Sequence, residues 1–163
     1  MFDAYEIRKD FPILNKLVDG KRNTYLDTAA SAQKPLEVIE YVTSLYMNEY
    51  ANVHRGSYWL SDRVTEKYEN ARKIVQQFVN AKTSDEIVFV RNATEGINLV
   101  ASTYGLKNIK KDDEILISRA EHHANLVTWQ QLAIKNGAKL KYFDLDEMWS
   151  VENRKLFFFF SLP

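Results

Sequence analysis

The sequence predicts an α/β fold with a mostly parallel sheet, and three observations predict it. First, Glu86 to Val90 holds the β-branched and aromatic run Ile87-Val88-Phe89-Val90, which suits a buried strand. It passes directly into an amphipathic segment with Ile97, Val100 and Ala101 at helical spacing. Second, Glu114 to Ser118 and Lys139 to Leu145 read as two further strands, the latter by its alternation. Third, the segment between them leads through His122 and His123 into a helix to about Asn136, which Gly137 ends at the C′ position. Strand, helix, strand, helix, strand with short links is the order of parallel pairing with right-handed crossovers.

The earlier elements follow in order. Asp3 to Leu14 reads as a short helix ended near Pro12, with Ile7, Phe11 and Ile13 on its buried side. Val18-Asp19-Gly20-Lys21 is a turn, and Thr24 to Asp27 is a short extended piece. Thr28-Ala29-Ala30-Ser31-Ala32 has side chains small enough for its backbone to approach another group closely. Pro35 suits the first turn of a helix to about Tyr50, with Val38, Val42, Leu45 and Tyr46 on one face. A mobile-looking loop carries His54-Arg55-Gly56. Ser61 or Asp62 then caps a long helix through about Asn80, with Val64, Tyr68, Ala71, Val75 and Phe78 towards the core.

Composition narrows the function classes. At 163 residues one domain is expected, and 22 basic residues balance 22 acidic ones, which is not the footprint of a nucleic-acid binder. There is no cysteine, so these residues offer no disulfide, thiolate metal site or thiol nucleophile. The start MFDAYEIRKD is charged, and no apolar run is long enough to span a bilayer, so a soluble cytoplasmic protein is the expectation.

The chemistry concentrates at the expected strand ends. A strand turning into a helix at Ala93-Thr94 leaves the first helical N–H groups without intrahelical partners. Together with the positive dipole end and the Thr94 hydroxyl, they suit a phosphate; alternatively, Asn92 or Thr94 merely caps the helix. His122 and His123 follow the next strand on the same rim, where open α/β sheets bind ligands. A metal site is disfavoured in Glu121-His122-His123, because adjacent side chains diverge and no spaced third ligand is evident unless His54 folds over. His123 reads as a rim residue bonded to backbone. Arg55 has the geometry to pair with a carboxylate or phosphate, or to reach an acidic neighbour.

Four motifs in register, YLDTAASAQKP, VHRG, FVRNATEGINLVA and AEHHANLVTWQ, resemble the N-terminal part of a SUF-type cysteine desulfurase. These are class V aminotransferase-like enzymes of fold type I that depend on pyridoxal phosphate, and their relatives include selenocysteine lyases. The resemblance implies an incomplete N-terminal part of the large domain of such a transferase over residues 1–148. It implies cofactor binding at Ala93 and Thr94, which hold the phosphate, and at His122, whose ring stacks on the pyridine. Ala29, Ala30, His54 and Arg55 then lie near the amino-acid substrate, L-cysteine. A homodimer and a sulfur-acceptor protein serving iron–sulfur cluster assembly follow by the same resemblance.

The chain departs from that pattern in what it lacks. The family uses a lysine in a Ser-x-His-Lys-type motif to hold the cofactor, an aspartate on the pyridine nitrogen and a cysteine to take the sulfur. None of these is located among the 163 residues, so catalysis by this chain alone is not expected. A non-catalytic cofactor- or partner-binding role and part of a selenocysteine lyase are the alternatives. Residues 149–163, ending in Phe157 to Pro163, read as an aberrant tail or else as a buried final strand. By the same resemblance, the strand at Glu86–Val90 and the strand at Glu114–Ser118 are not neighbours, so unpaired edges and uncovered apolar helix faces are expected; the alternative is that the three strands pair directly into a small rearranged sheet.

Overall fold

The computed structural model describes residues 3–145. The chain divides between Ile87 and Val88 into two compact units. The expected tail lies outside the described residues.

The first unit opens with α1 (Ala4–Arg8), capped by Asp3, whose Oδ1 accepts the Tyr5 and Glu6 N–H groups. The single helix expected to Leu14 is interrupted. Pro12 cannot supply an intrahelical N–H, and Pro12–Asn15 forms a separate 3-10 turn. Ile7 and Ile13, expected inside, remain exposed. Leu17–Val18 (β1) and Lys21–Arg22 (β2) pair as an antiparallel hairpin. Its two-residue turn has φ of 51° at Asp19 and 72° at Gly20, the left-handed pair that matches strand twist.

Next come α2 (Leu36–Asn48) and α3 (Trp59–Phe78). Pro35 enters α2 with φ of −66°, already near the helical value. The cap expected at Ser61 or Asp62 is not found, since Tyr58 holds the N-cap position of α3 without a side-chain bond. Ser61 lies instead inside the first turn, buried. Its hydroxyl donates to the Asn52 carbonyl at 2.6 Å and accepts the Gly56 N–H at 3.1 Å. Sequence proximity to the helix start suggested a cap, and the preceding loop claimed the hydroxyl. Val64 is buried as expected, but Val42 at 44% and Phe78 at 89% exposure lie on uncovered faces.

At the start of the second unit Val88–Val90 joins no ladder among the described residues, and Glu86, in the first unit, belongs to a 3-10 turn. The expected first strand is therefore not formed among the described residues. Helix α4 (Ala93–Val100) continues into a π turn (Ala101–Gly105) and α5 (Leu106–Asn108). Then β3 (Glu114–Ser118), α6 (His123–Asn136) and β4 (Lys139–Phe143) form a βαβ unit, with β3 and β4 parallel from Glu114↔Lys139 to Ser118↔Phe143. The last strand stops at Phe143, two residues before the expected end. Gly137 ends α6 with φ of 72°, a left-handed conformation that glycine adopts without Cβ penalty.

Among the described residues of this unit, Ala101, Gly105, Ile117, Leu132 and Ala133 are buried. Ile117 and Leu132 each stabilise it by about 1.5–3 kcal/mol through burial. Gly105 is required by close packing, because a Cβ there would stand 2.5 Å from Leu132 Cδ2.

Candidate functional site

Asn92 is extended and caps α4, its Oδ1 accepting the Glu95 N–H at 2.9 Å. The Gly96 N–H goes to the Asn92 carbonyl. That leaves the N–H groups of Ala93 and Thr94 without a partner among the described residues, as helix geometry requires. Thr94 is exposed at this start. Asn92 thus does the capping, and the Thr94 hydroxyl is not needed for it. Of the two rival readings from the sequence, the cap falls to Asn92 and leaves the start of α4 open to an acceptor.

Glu95 would oppose an anion at this end, but Arg91 neutralises it. The Glu95 carboxylate accepts the Arg91 backbone N–H at 2.6 Å and two guanidinium N–H groups at 3.2 Å. The Arg91 side chain, then its backbone N–H, holds the Glu95 carboxyl below its usual range against a small desolvation effect.

His122 is the N-cap of α6, and its Nδ1 accepts the Ala124 N–H at 3.1 Å. A backbone N–H only donates, so Nδ1 carries no proton in this arrangement and the neutral ring bears its hydrogen on Nε2. The ring is exposed. Just before it, Glu121 accepts the Ser118 hydroxyl at 2.8 Å on one oxygen and the Asn125 amide at 2.8 Å on the other. Asn125 in turn accepts the Trp129 indole N–H at 2.7 Å. Asn125, then Ser118, holds the Glu121 carboxyl below its usual range, with desolvation opposing.

The two helix starts lie at one end of the unit. Gly105 packs on Leu132, and α4 touches α6. A helix advances 1.5 Å per residue, so counting back along both from that contact brings Thr94 level with the Glu121–His122 turn. An antiparallel arrangement would carry α4 past the end of α6. Thr94 and His123 accordingly line one groove of about 510 Å³ between these helices, with Ala101, Val127 and Leu132 deeper in it. The structure therefore brings Thr94 and His123 to one groove, with Ala93 and His122 next to them in the chain. The sequence missed Glu121, Asn125 and Trp129 as a set, although their i, i+4, i+8 spacing signals one helical face.

Four sequence-derived residues belong to the first unit. Ala29 and Ala30 occupy a turn in which the Ala30 and Ser31 N–H groups both reach the Asp27 carbonyl. His54 adopts φ of 66° and is not on a free loop. Its N–H donates to Thr65 Oγ1 at 2.9 Å, and its Nε2 lies 2.7 Å from Glu69 Oε1. Gly56 packs so closely on Ser61 that a Cβ would come within 2.3 Å of Oγ. The mobility read from the sequence is thus corrected: α3 holds this loop from three points. Arg55 is exposed beside it.

Residues 24–158 match the aminotransferase class-V family. A probable cysteine desulfurase from Synechocystis is 50% identical over 149 residues, covering 91% of this chain and 36% of that protein. Among solved structures, the cysteine desulfurase CsdA from Escherichia coli superposes with a TM-score of 0.77 at 38% identity, over 98% of this chain and 39% of that one. A C-DES mutant with glycine covalently linked to its PLP cofactor shares the fold at a TM-score of 0.67 and 18% identity, covering 96% of this chain and 38% of its own. The chain spans a little over a third of the length of these relatives.

Proposed function

The chain belongs to the aminotransferase class-V family, and from that premise we propose that it supplies the phosphate grip and the ring platform for pyridoxal phosphate in a cysteine desulfurase. What supports this reading is the groove that Thr94 of α4 and His123 of α6 line together. The N–H groups of Ala93 and Thr94, with the Thr94 hydroxyl, hold the phosphate at a positive helix end. The exposed His122 ring, fixed through Nδ1, offers a flat face to the pyridine. Bound there, pyridoxal phosphate supplies the electron sink for carbanion chemistry at the substrate.

The residues of this chain do the holding. Arg91 keeps the Glu95 charge from repelling the phosphate, and Asn92 fixes the helix start so that the two N–H groups face outward. In the whole protein, L-cysteine would yield L-alanine while its sulfur passes to a thiolate and on to an acceptor protein for iron–sulfur clusters. Ala29, Ala30, His54 and Arg55 would lie towards that substrate, with subunits paired as a dimer in the cytoplasm. The 163 residues contain no cysteine. We therefore expect no alanine release from cysteine by them alone, because no other side chain matches thiolate nucleophilicity.

The test is a titration of the chain with pyridoxal phosphate, followed by its absorbance and by quenching of intrinsic fluorescence. Saturable binding that is weakened in both Thr94→Ala and His122→Ala supports the reading. Equal affinity in the parent and both variants would falsify it. Alanine release by the purified chain would overturn the expectation of inactivity.

A further inference from the structure

We propose that Glu121 is a positioning residue for His122, clamping the turn between β3 and α6 so that the imidazole is presented in a single tautomer and plane. The inference rests on the cofactor reading for its purpose, but its structural content concerns only this chain.

The hydrogen-bond directions admit one solution. A carboxylate only accepts and an indole N–H only donates, so the Asn125 amide must turn its nitrogen to Glu121 and its oxygen to Trp129. Both Glu121 oxygens are used, one towards the last residue of β3 and one towards the first turn of α6. The grip thus spans the turn in which His122 sits. From its far end, the Trp129 ring lies 3.7 Å from the place a Cβ of Gly105 would occupy. The chain Ser118–Glu121–Asn125–Trp129 therefore runs from the strand end to the π turn that continues the helix carrying Thr94.

What this network fixes is the backbone path at His122. The Nδ1 bond to Ala124 spans only two residues, so it needs the extended backbone of His122, φ −64° and ψ 147°, immediately before the helix. That bond selects the Nε2–H form. A ring held in one plane before the cofactor arrives loses less rotamer freedom on stacking. An imidazole free to turn would offer either nitrogen and no fixed face.

The experiment uses ¹⁵N-labelled full chain without cofactor, at mildly alkaline pH, reading imidazole tautomers from two-bond ¹H–¹⁵N correlations. The chain has three histidines, so a His122→Ala control assigns the signals. In the parent, His122 should show an unprotonated Nδ1 and a protonated Nε2. In Glu121→Ala the two nitrogens should move towards averaged shifts, and Glu121→Gln, which keeps one accepting oxygen, should fall between. Affinity for pyridoxal phosphate should drop about tenfold in Glu121→Ala. An unchanged His122 signature in Glu121→Ala overturns the proposal. If that variant does not fold, unchanged signatures in both Ser118→Ala and Asn125→Ala overturn it equally. A shifted signature in a chain whose parent binds no pyridoxal phosphate sustains the positioning role and rejects the cofactor reading instead.

Discussion

Thr94 brings a hydroxyl and a backbone N–H to the same point, and its side chain is not consumed by capping because Asn92 caps. Replacing it with alanine should remove one charge-assisted bond and weaken pyridoxal phosphate binding by about tenfold to a hundredfold, whereas Thr94→Ser should hold most of the affinity. Fluorescence titration of the two variants side by side checks this. Asn92→Ala acts differently: losing the cap should cost about 1 kcal/mol of stability, measured by urea unfolding. Two carboxylates give the unit an acid-sensitive side. Glu121 and Glu95 are each held below their usual range in the folded chain. Their contribution is therefore complete above the ordinary glutamate pKa and is lost as pH falls through the depressed folded values. Melting temperature should accordingly decline with acid in that window, and Glu121→Gln should flatten the decline. The cap of α4 was legible in the residues themselves as Asn92 or Thr94, since an Asx cap is local chemistry, and the fold gave it to Asn92. The Glu121 clamp was hidden, because its partners are defined by which way a turn folds.

Among the elements, the π turn Ala101–Gly105 lets α4 continue into α5 while placing Gly105 against Leu132. A methyl group there has no room, so Gly105→Ala should destabilise the chain by about 1–3 kcal/mol through overpacking. It should also separate the two helix starts, seen as weaker pyridoxal phosphate binding without any change at the rim residues. Gly20 makes a contrast. Nothing lies within 4 Å of a Cβ built on it, so Gly20→Ala carries only the left-handed backbone penalty, about 1 kcal/mol, in the same unfolding measurement. Helices α2, α3 and α6 were readable from their periodicity, as were β3 and β4, because an amphipathic pattern survives whatever it packs against. The 87–90 strand and the cap of α3 were not. A strand exists through its ladder, and the Ser61 hydroxyl went to a loop that only the folded chain brings near.

Across the whole molecule, large apolar side chains remain uncovered, among them Val38, Val42 and Tyr46 of α2, Ile74 and Phe78 of α3, and Ile134 of α6. Surfaces of this kind favour association. Sedimentation velocity over a concentration series should show self-association that grows with concentration; a single monomer species throughout would contradict this. By itself the sequence determined the order β3, α6, β4 in the second unit and the helix start at Asn92-Ala93. Those depend on period, propensity and short-range hydrogen bonding, all carried by neighbouring residues. Only the tertiary structure decided that Thr94 of α4 and His123 of α6 line one groove, and that Glu121 bonds across the turn between strand and helix. It also decided which apolar faces find cover. Such outcomes turn on contacts between segments far apart in the chain, and no local pattern encodes the distance across them.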